Sequence, residues 1–100
     1  MQNPEESRLP NLFSVGGYKV YFWSNEGMEP IHVHVSKKKP SPNSTKIWLT
    51  RKGGCVIANN NSHISTGELN ELLNMISAQY FFICSKWREY FKLDDIIYYC

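Results

Sequence analysis

The segment EPIHVHVSKKK, residues 29–39, gathers the side chains best suited to chemistry in this chain. His32 and His34 stand one residue apart among Ile31, Val33 and Val35, and Lys37, Lys38 and Lys39 follow. Paired imidazoles can take and give a proton near neutral pH, because the unperturbed histidine pKa is about 6.5. On a phosphodiester, one would serve as base and one as acid. Lysines would hold phosphate and exposed aromatics would stack bases. An H-x-H pair on a strand can also chelate one ion, but zinc takes three protein ligands with an open position, or four. The third would come from His63, Glu26, Glu29 or Cys55, none at a recognisable motif spacing. The plainest alternative is an ordinary strand whose two histidines are half exposed and supported by aromatic neighbours.

The elements that would position these residues follow from periodicity. IHVHV (31–35) alternates with period two, so Ile31, Val33 and Val35 face a core and both histidines share the opposite face. They then lie about 6.5–7 Å apart along the strand. YKVYFWS (18–24), TKIWLT (45–50) and CVIA (55–58) read as three further strands. The turns between strands are NEGMEP (25–30), SKKKPSPNS and RKGG. NLFSVGG is expected to dock ahead of a Gly16-Gly17 break. Trp23, Lys46 and Trp48 fall on the histidine face. Ser65 and Glu68 have capping-box spacing, with Ile64 and Leu69 placed for a hydrophobic staple. From Leu69 through Leu72, Leu73, Ile76, Tyr80, Ile83, Cys84, Trp87 and Phe91, apolar residues recur at helical spacing. That predicts one helix over about 66–91, roughly 39 Å long. Met75 and Phe82 lie off this stripe, seven residues apart, and mark either scattered exposure or a contact face.

The expected architecture is α+β: a small antiparallel meander of about four strands with one long C-terminal helix packed on one face. Residues 1–11 read as a polar tail and 12–100 as a single domain. At 42% hydrophobic and 14% aromatic, the composition excludes a mainly disordered chain. A formal charge of +2 is too mild to declare a nucleic-acid binder. Three dispersed cysteines without C-x-x-C spacing, no leader-like start and no apolar run of membrane length predict a reduced, cytoplasmic protein with no membrane partner. No nucleotide-binding glycine motif or Ser-His-Asp pattern is visible.

YFWSNEGMEPIHVHV, TKIWL, GCVIANNNS and KWREYF together resemble a bacterial domain-of-unknown-function family, number 4160. Its hallmark, a polar turn followed by P-x-H-x-H, falls on Glu29, Pro30, His32 and His34, with Ile31 where many members carry a second proline. The resemblance covers roughly residues 12–92, and the late Trp87 fits it. Members are often encoded beside another small domain in an arrangement like a toxin–antitoxin pair. The resemblance therefore implies a toxin-like protein with a cognate antitoxin-like partner and nucleic acid or the translation apparatus as a target.

The leading expectation is a metal-independent ribonuclease without cofactor. His32 and His34 form the proton-transfer pair, and Lys37, Lys38, Lys39, Lys46, Trp23 and Trp48 contact nucleic acid. The alternative is a non-catalytic protein- or nucleic-acid-binding module, or a metal-binding H-x-H domain. In either case a homodimer contact falls on the helix face of Met75 and Phe82.

Overall fold

The computed structural model describes residues 11–100. Its five strands are β1 (Asn11–Val15), β2 (Tyr18–Tyr21), β3 (His32–Lys37), β4 (Thr45–Leu49) and β5 (Cys55–Asn60). They form one antiparallel sheet in sequence order. Two helices follow, α1 (Thr66–Ala78) and α2 (Tyr80–Phe91). The expectation of about four strands under one long helix is corrected on both counts. Of the expected N-terminal tail, residues 1–10 lie outside the described residues, while Asn11 opens β1.

The fifth strand comes from NLFSV, expected only to dock. Gly16 and Gly17 both adopt positive φ, 51° and 85°. A two-residue hairpin turn of the primed type requires this, and it brings Val15 opposite Tyr18. The connection acts as a hairpin rather than a break.

The helix divides at Gln79, where φ is −99° and ψ 15°. No glycine or proline marks the place. Hydrogen bonding nearly continues through it: the Gln79 amide donates to Met75 O and Ile76 O, and the Ile83 amide donates to Gln79 O. The buried stripe continues as well, from Leu69, Leu72 and Ile76 to Tyr80, Ile83, Cys84 and Trp87. Geometry gives a reason. Strands of four to six residues make a sheet roughly 20 Å across. A straight helix of about 39 Å would carry part of that stripe past the sheet. The bend at Gln79 keeps both halves on it, and the Tyr80 hydroxyl, donating to Thr50 O, fixes the corner.

Ser65 caps α1 by accepting from the Glu68 amide at 3.4 Å. The reciprocal half of the capping box is replaced, because the Glu68 carboxylate accepts from the Tyr18 hydroxyl. Ile64 and Leu69 are both buried, as a staple requires. Val20, Phe22, Ile31, Val33, Val35, Ile47 and Leu49 from the sheet side close one core with the helix stripe. No helix among the described residues is long and apolar enough to cross a membrane.

Candidate metal centre

Register sets the neighbours of the two histidines. In β3, His34 stands opposite Tyr21 of β2 and Lys46 of β4, and His32 stands opposite Trp48. They share the face away from Val33, as the alternation predicts. They are not half exposed there: His32 is 0% and His34 9% exposed.

The cover begins with the β2–β3 connection. After Tyr21 the chain leaves the sheet and turns, the Glu26 amide donating to Trp23 O at 3.3 Å and the Glu29 amide to Glu26 O at 3.0 Å. Gly27 lies against Phe91 so closely that a Cβ there would sit 2.5 Å from its ring. Glycine at 27 lets the turn reach α2 and aims Glu26 back over the sheet. One Glu26 oxygen, Oε1, accepts from the Trp23 amide at 2.7 Å. The other, Oε2, lies 2.8 Å from His34 Nε2 and 2.9 Å from His32 Nε2. Glu26, His32 and His34 are all buried, and one ligand atom from each lies within 4.8 Å of the others.

The outer ring nitrogen of His32 carries a hydrogen. His32 Nδ1 lies 2.8 Å from Pro30 O. A carbonyl only accepts, so Nδ1 carries a hydrogen, and in the neutral ring the lone pair is at Nε2. His34 Nδ1 lies 2.9 Å from Ser44 Oγ, and its Nε2 pairs with Glu26 Oε2. His32 Nε2, although close to the same oxygen, is not aligned for a hydrogen bond and has no other partner. Burial alone would raise the Glu26 carboxyl. Its contacts with His32 and His34, the charge at His32 and the Trp23 amide outweigh that and hold it at about 2. The carboxylate is therefore ionised, with two imidazole nitrogens converging on one oxygen. A protonated His32 ring would make this contact a buried ion pair, and a neutral ring would leave Nε2 with a lone pair for a metal ion.

Aromatic rings wall the cluster. Tyr21 stacks on His34 at 5.7 Å, and Trp23 meets His34 edgewise at 6.3 Å. His32 meets Trp48 at 5.5 Å and, from α2, Trp87 at 5.4 Å. Trp48 is held by Tyr99, stacked at 4.8 Å, and by the Lys46 ammonium, 4.2 Å from the ring centre. Lys46 also pairs with Glu29 at 3.3 Å.

The structure thus gathers Trp23, Lys46 and Trp48 around the histidines. Lys37, Lys38 and Lys39 are exposed at the other end of β3, where the Lys38 amide donates to Gly17 O beside the first hairpin. Of the four third-ligand candidates, Glu26 joins the cluster. Glu29 faces Lys46, Cys55 lies by Leu73 O and Ser77, and exposed His63 adopts φ 56° before α1. Sequence reasoning missed Ser44, the Pro30 carbonyl and Trp87 at this site. Only Pro30, two residues before His32, carried a local signal.

A five-stranded meander backed by two helices, with a buried carboxylate and two imidazoles under its first long turn, defines a small α+β protein with a candidate metal centre. The chain belongs to the family described as Domain of unknown function (DUF4160), whose model matches residues 17–88. That span holds all three cluster residues and Trp87. No curated protein and no solved structure matches the chain.

Proposed function

We propose that this chain is a metal-binding domain in which Glu26, His32 and His34 hold one divalent transition-metal ion of the zinc class. The observation that carries the reading is His32 Nε2: fully buried, without a hydrogen-bond partner, its Nδ1 occupied by Pro30 O, and 2.9 Å from an ionised carboxylate oxygen. Imidazole nitrogen and carboxylate oxygen are the donors such ions take. Pro30 O and Ser44 Oγ supply the outer contacts that orient metal-binding histidines. Metal–ligand bonds of 2.0–2.2 Å put tetrahedral donor atoms roughly 3.3 Å apart. The two contacts of Glu26 Oε2 with the histidine nitrogens, 2.8 and 2.9 Å, would lengthen by about half an ångström on admitting an ion.

The proton-transfer reading on RNA has less support. Both Nδ1 atoms are engaged, both Nε2 atoms face Glu26, and His32 offers no surface to a phosphodiester. Among the expected nucleic-acid contacts, Lys46 and Trp48 are engaged with Glu29 and Tyr99, and the lysine run lies apart from the histidines. A toxin-like role with a cognate partner stays compatible with a metal domain and rests on the family resemblance alone.

The test is metal content. Untagged protein stripped with chelator and dialysed against zinc, cobalt or manganese should retain one ion per chain and melt at higher temperature. Bound ligand stabilises by RT ln(1 + [L]/Kd), about 2.7 kcal/mol at a hundredfold excess over Kd. His32→Ala and Glu26→Ala should abolish both effects. Stripped wild type that retains none of these metals, with an unchanged melting temperature, would overturn the reading.

A further inference from the structure

Among the described residues, the buried side-chain nitrogens without a hydrogen-bond partner are His32 Nε2 and Trp87 Nε1. The two rings touch, with centroids 5.4 Å apart. Trp87 is itself 0% exposed. One unsatisfied atom is a donor for which no acceptor is present, and the other is a nitrogen of the metal cluster. Leaving an N–H unmet in the interior costs about 1–3 kcal/mol, so the coincidence calls for an acceptor.

The ligand count supplies one. Among the described residues, the His, Cys, Asp and Glu side chains that converge here are Glu26, His32 and His34. Three protein ligands leave a zinc-class ion one position short of tetrahedral, and such positions take water or an exogenous ligand. We propose that the ion at this centre carries a water or a small monovalent anion, and that Trp87 Nε1–H donates a hydrogen bond to that ligand. This rests on the metal-binding reading above. The side chains of Glu26 and His34 are 10% and 11% exposed and that of His32 is 0%. The exposed edge of the cluster is therefore its Glu26–His34 side. Trp87 is a positioning residue, acting on the metal's ligand rather than on the metal.

Azide is the probe. Cobalt-loaded full-length protein should develop a saturable azide-to-cobalt charge-transfer band. Trp87→Phe, which keeps an aromatic ring and removes the N–H, should still bind one cobalt but take azide roughly 3- to 10-fold more weakly, the loss of one neutral hydrogen bond. Since Trp87 is central to the core, the wild type carries a second measurement. In the zinc-loaded, nitrogen-15-labelled protein, one of the three indole N–H signals should move downfield on azide addition. Site-specific benzothienylalanine at position 87, which lacks only the N–H, identifies that signal by its absence. An indole N–H aimed instead at the faces of Phe22 or Phe91, 5.0 and 4.7 Å away between centroids, gives a signal that neither metal nor azide moves. Cobalt bound without azide binding, or an unmoved Trp87 signal with equal azide affinity in the variant, overturns this inference and leaves the metal centre standing. Failure to bind cobalt or zinc at all overturns both.

Discussion

β3 has two faces, buried about equally and in opposite ways. Ile31, Val33 and Val35 are 0% exposed beneath α1 and α2, in a continuous apolar core. His32 and His34 on the other face are nearly as buried, but under a turn, a loop serine and aromatic rings. The first face gains the transfer free energy of aliphatic groups, about 1.5–3 kcal/mol per side chain. The second removes two imidazoles and a carboxylate from water, which is favourable only if each polar atom finds a partner. At His32 Nε2 it does not. The difference teaches that the apolar face explains why the chain folds, and that the polar face leaves a buried ring nitrogen unmet.

The largest expected effect is on the apolar face. Ile47→Ala removes a fully buried side chain opposite Val33 and should cost about 2–5 kcal/mol in urea unfolding. Metal stoichiometry of the folded variant should stay at one. If metal is lost in parallel, the two faces are coupled and the comparison breaks. Gly27→Ala attacks the other face without touching a ligand. Its Cβ would lie 2.5 Å from Phe91 Cδ1 and 2.7 Å from Cγ, so the turn or the ring must move. A cost of about 1–3 kcal/mol is expected, with metal affinity reduced because Glu26 is carried away from the histidines. Calorimetric titration showing wild-type affinity would separate the turn from the site. Glu26→Ala in metal-free protein should cost about 1–3 kcal/mol, since it leaves two buried imidazoles facing no anion. An unchanged midpoint in denaturant would mean that the carboxylate contributes nothing to the metal-free fold.

Much of this was legible from residues alone, and the boundary has physical causes. The alternation of IHVHV put both histidines on one face, since a slip of one residue would bury the wrong set. Glu26 stood among four candidate ligands, but its selection depends on a turn that Gly27 seats against Phe91, some sixty residues away in sequence. Burial of the histidine face was not legible, because the cover comes from separate segments at residues 23–30, Ser44 and Tyr99. The kink at Gln79 was hidden because the apolar stripe keeps its spacing through it and no breaker residue marks it. Trp87 read as one more residue of that stripe, and only packing reveals that its ring meets His32.

Acid should reach the polar face first. The Glu26 carboxyl is held at about 2, below the ordinary glutamate value of 4.5. Below about 4.5 the unfolded chain therefore binds more protons than the folded one. The carboxylate's contribution is present above that pH and is lost as pH falls toward about 2. Denaturant midpoints of wild type and Glu26→Gln should converge as pH falls across that window. Convergence on raising the pH would contradict the assigned charge.

The smallest effect belongs to the outer side of the helices. Met75 on α1 and Phe82 on α2 are 39% and 40% exposed, and Phe81 beside them is 83% exposed. They lie on opposite sides of the Gln79 kink, so the single helix face expected for them is bent there. Neither supports the sheet or touches the cluster. Met75→Glu with Phe82→Glu should shift stability by no more than about 0.5 kcal/mol and leave metal binding unchanged. If two chains associate through this surface, the double variant should turn a dimer into a monomer in sedimentation while its unfolding midpoint, extrapolated to low concentration, stays where it was. A dimer that survives the double charge places any self-association elsewhere. A large loss of stability in a monomer would mean that these side chains belong to the apolar side of the comparison after all.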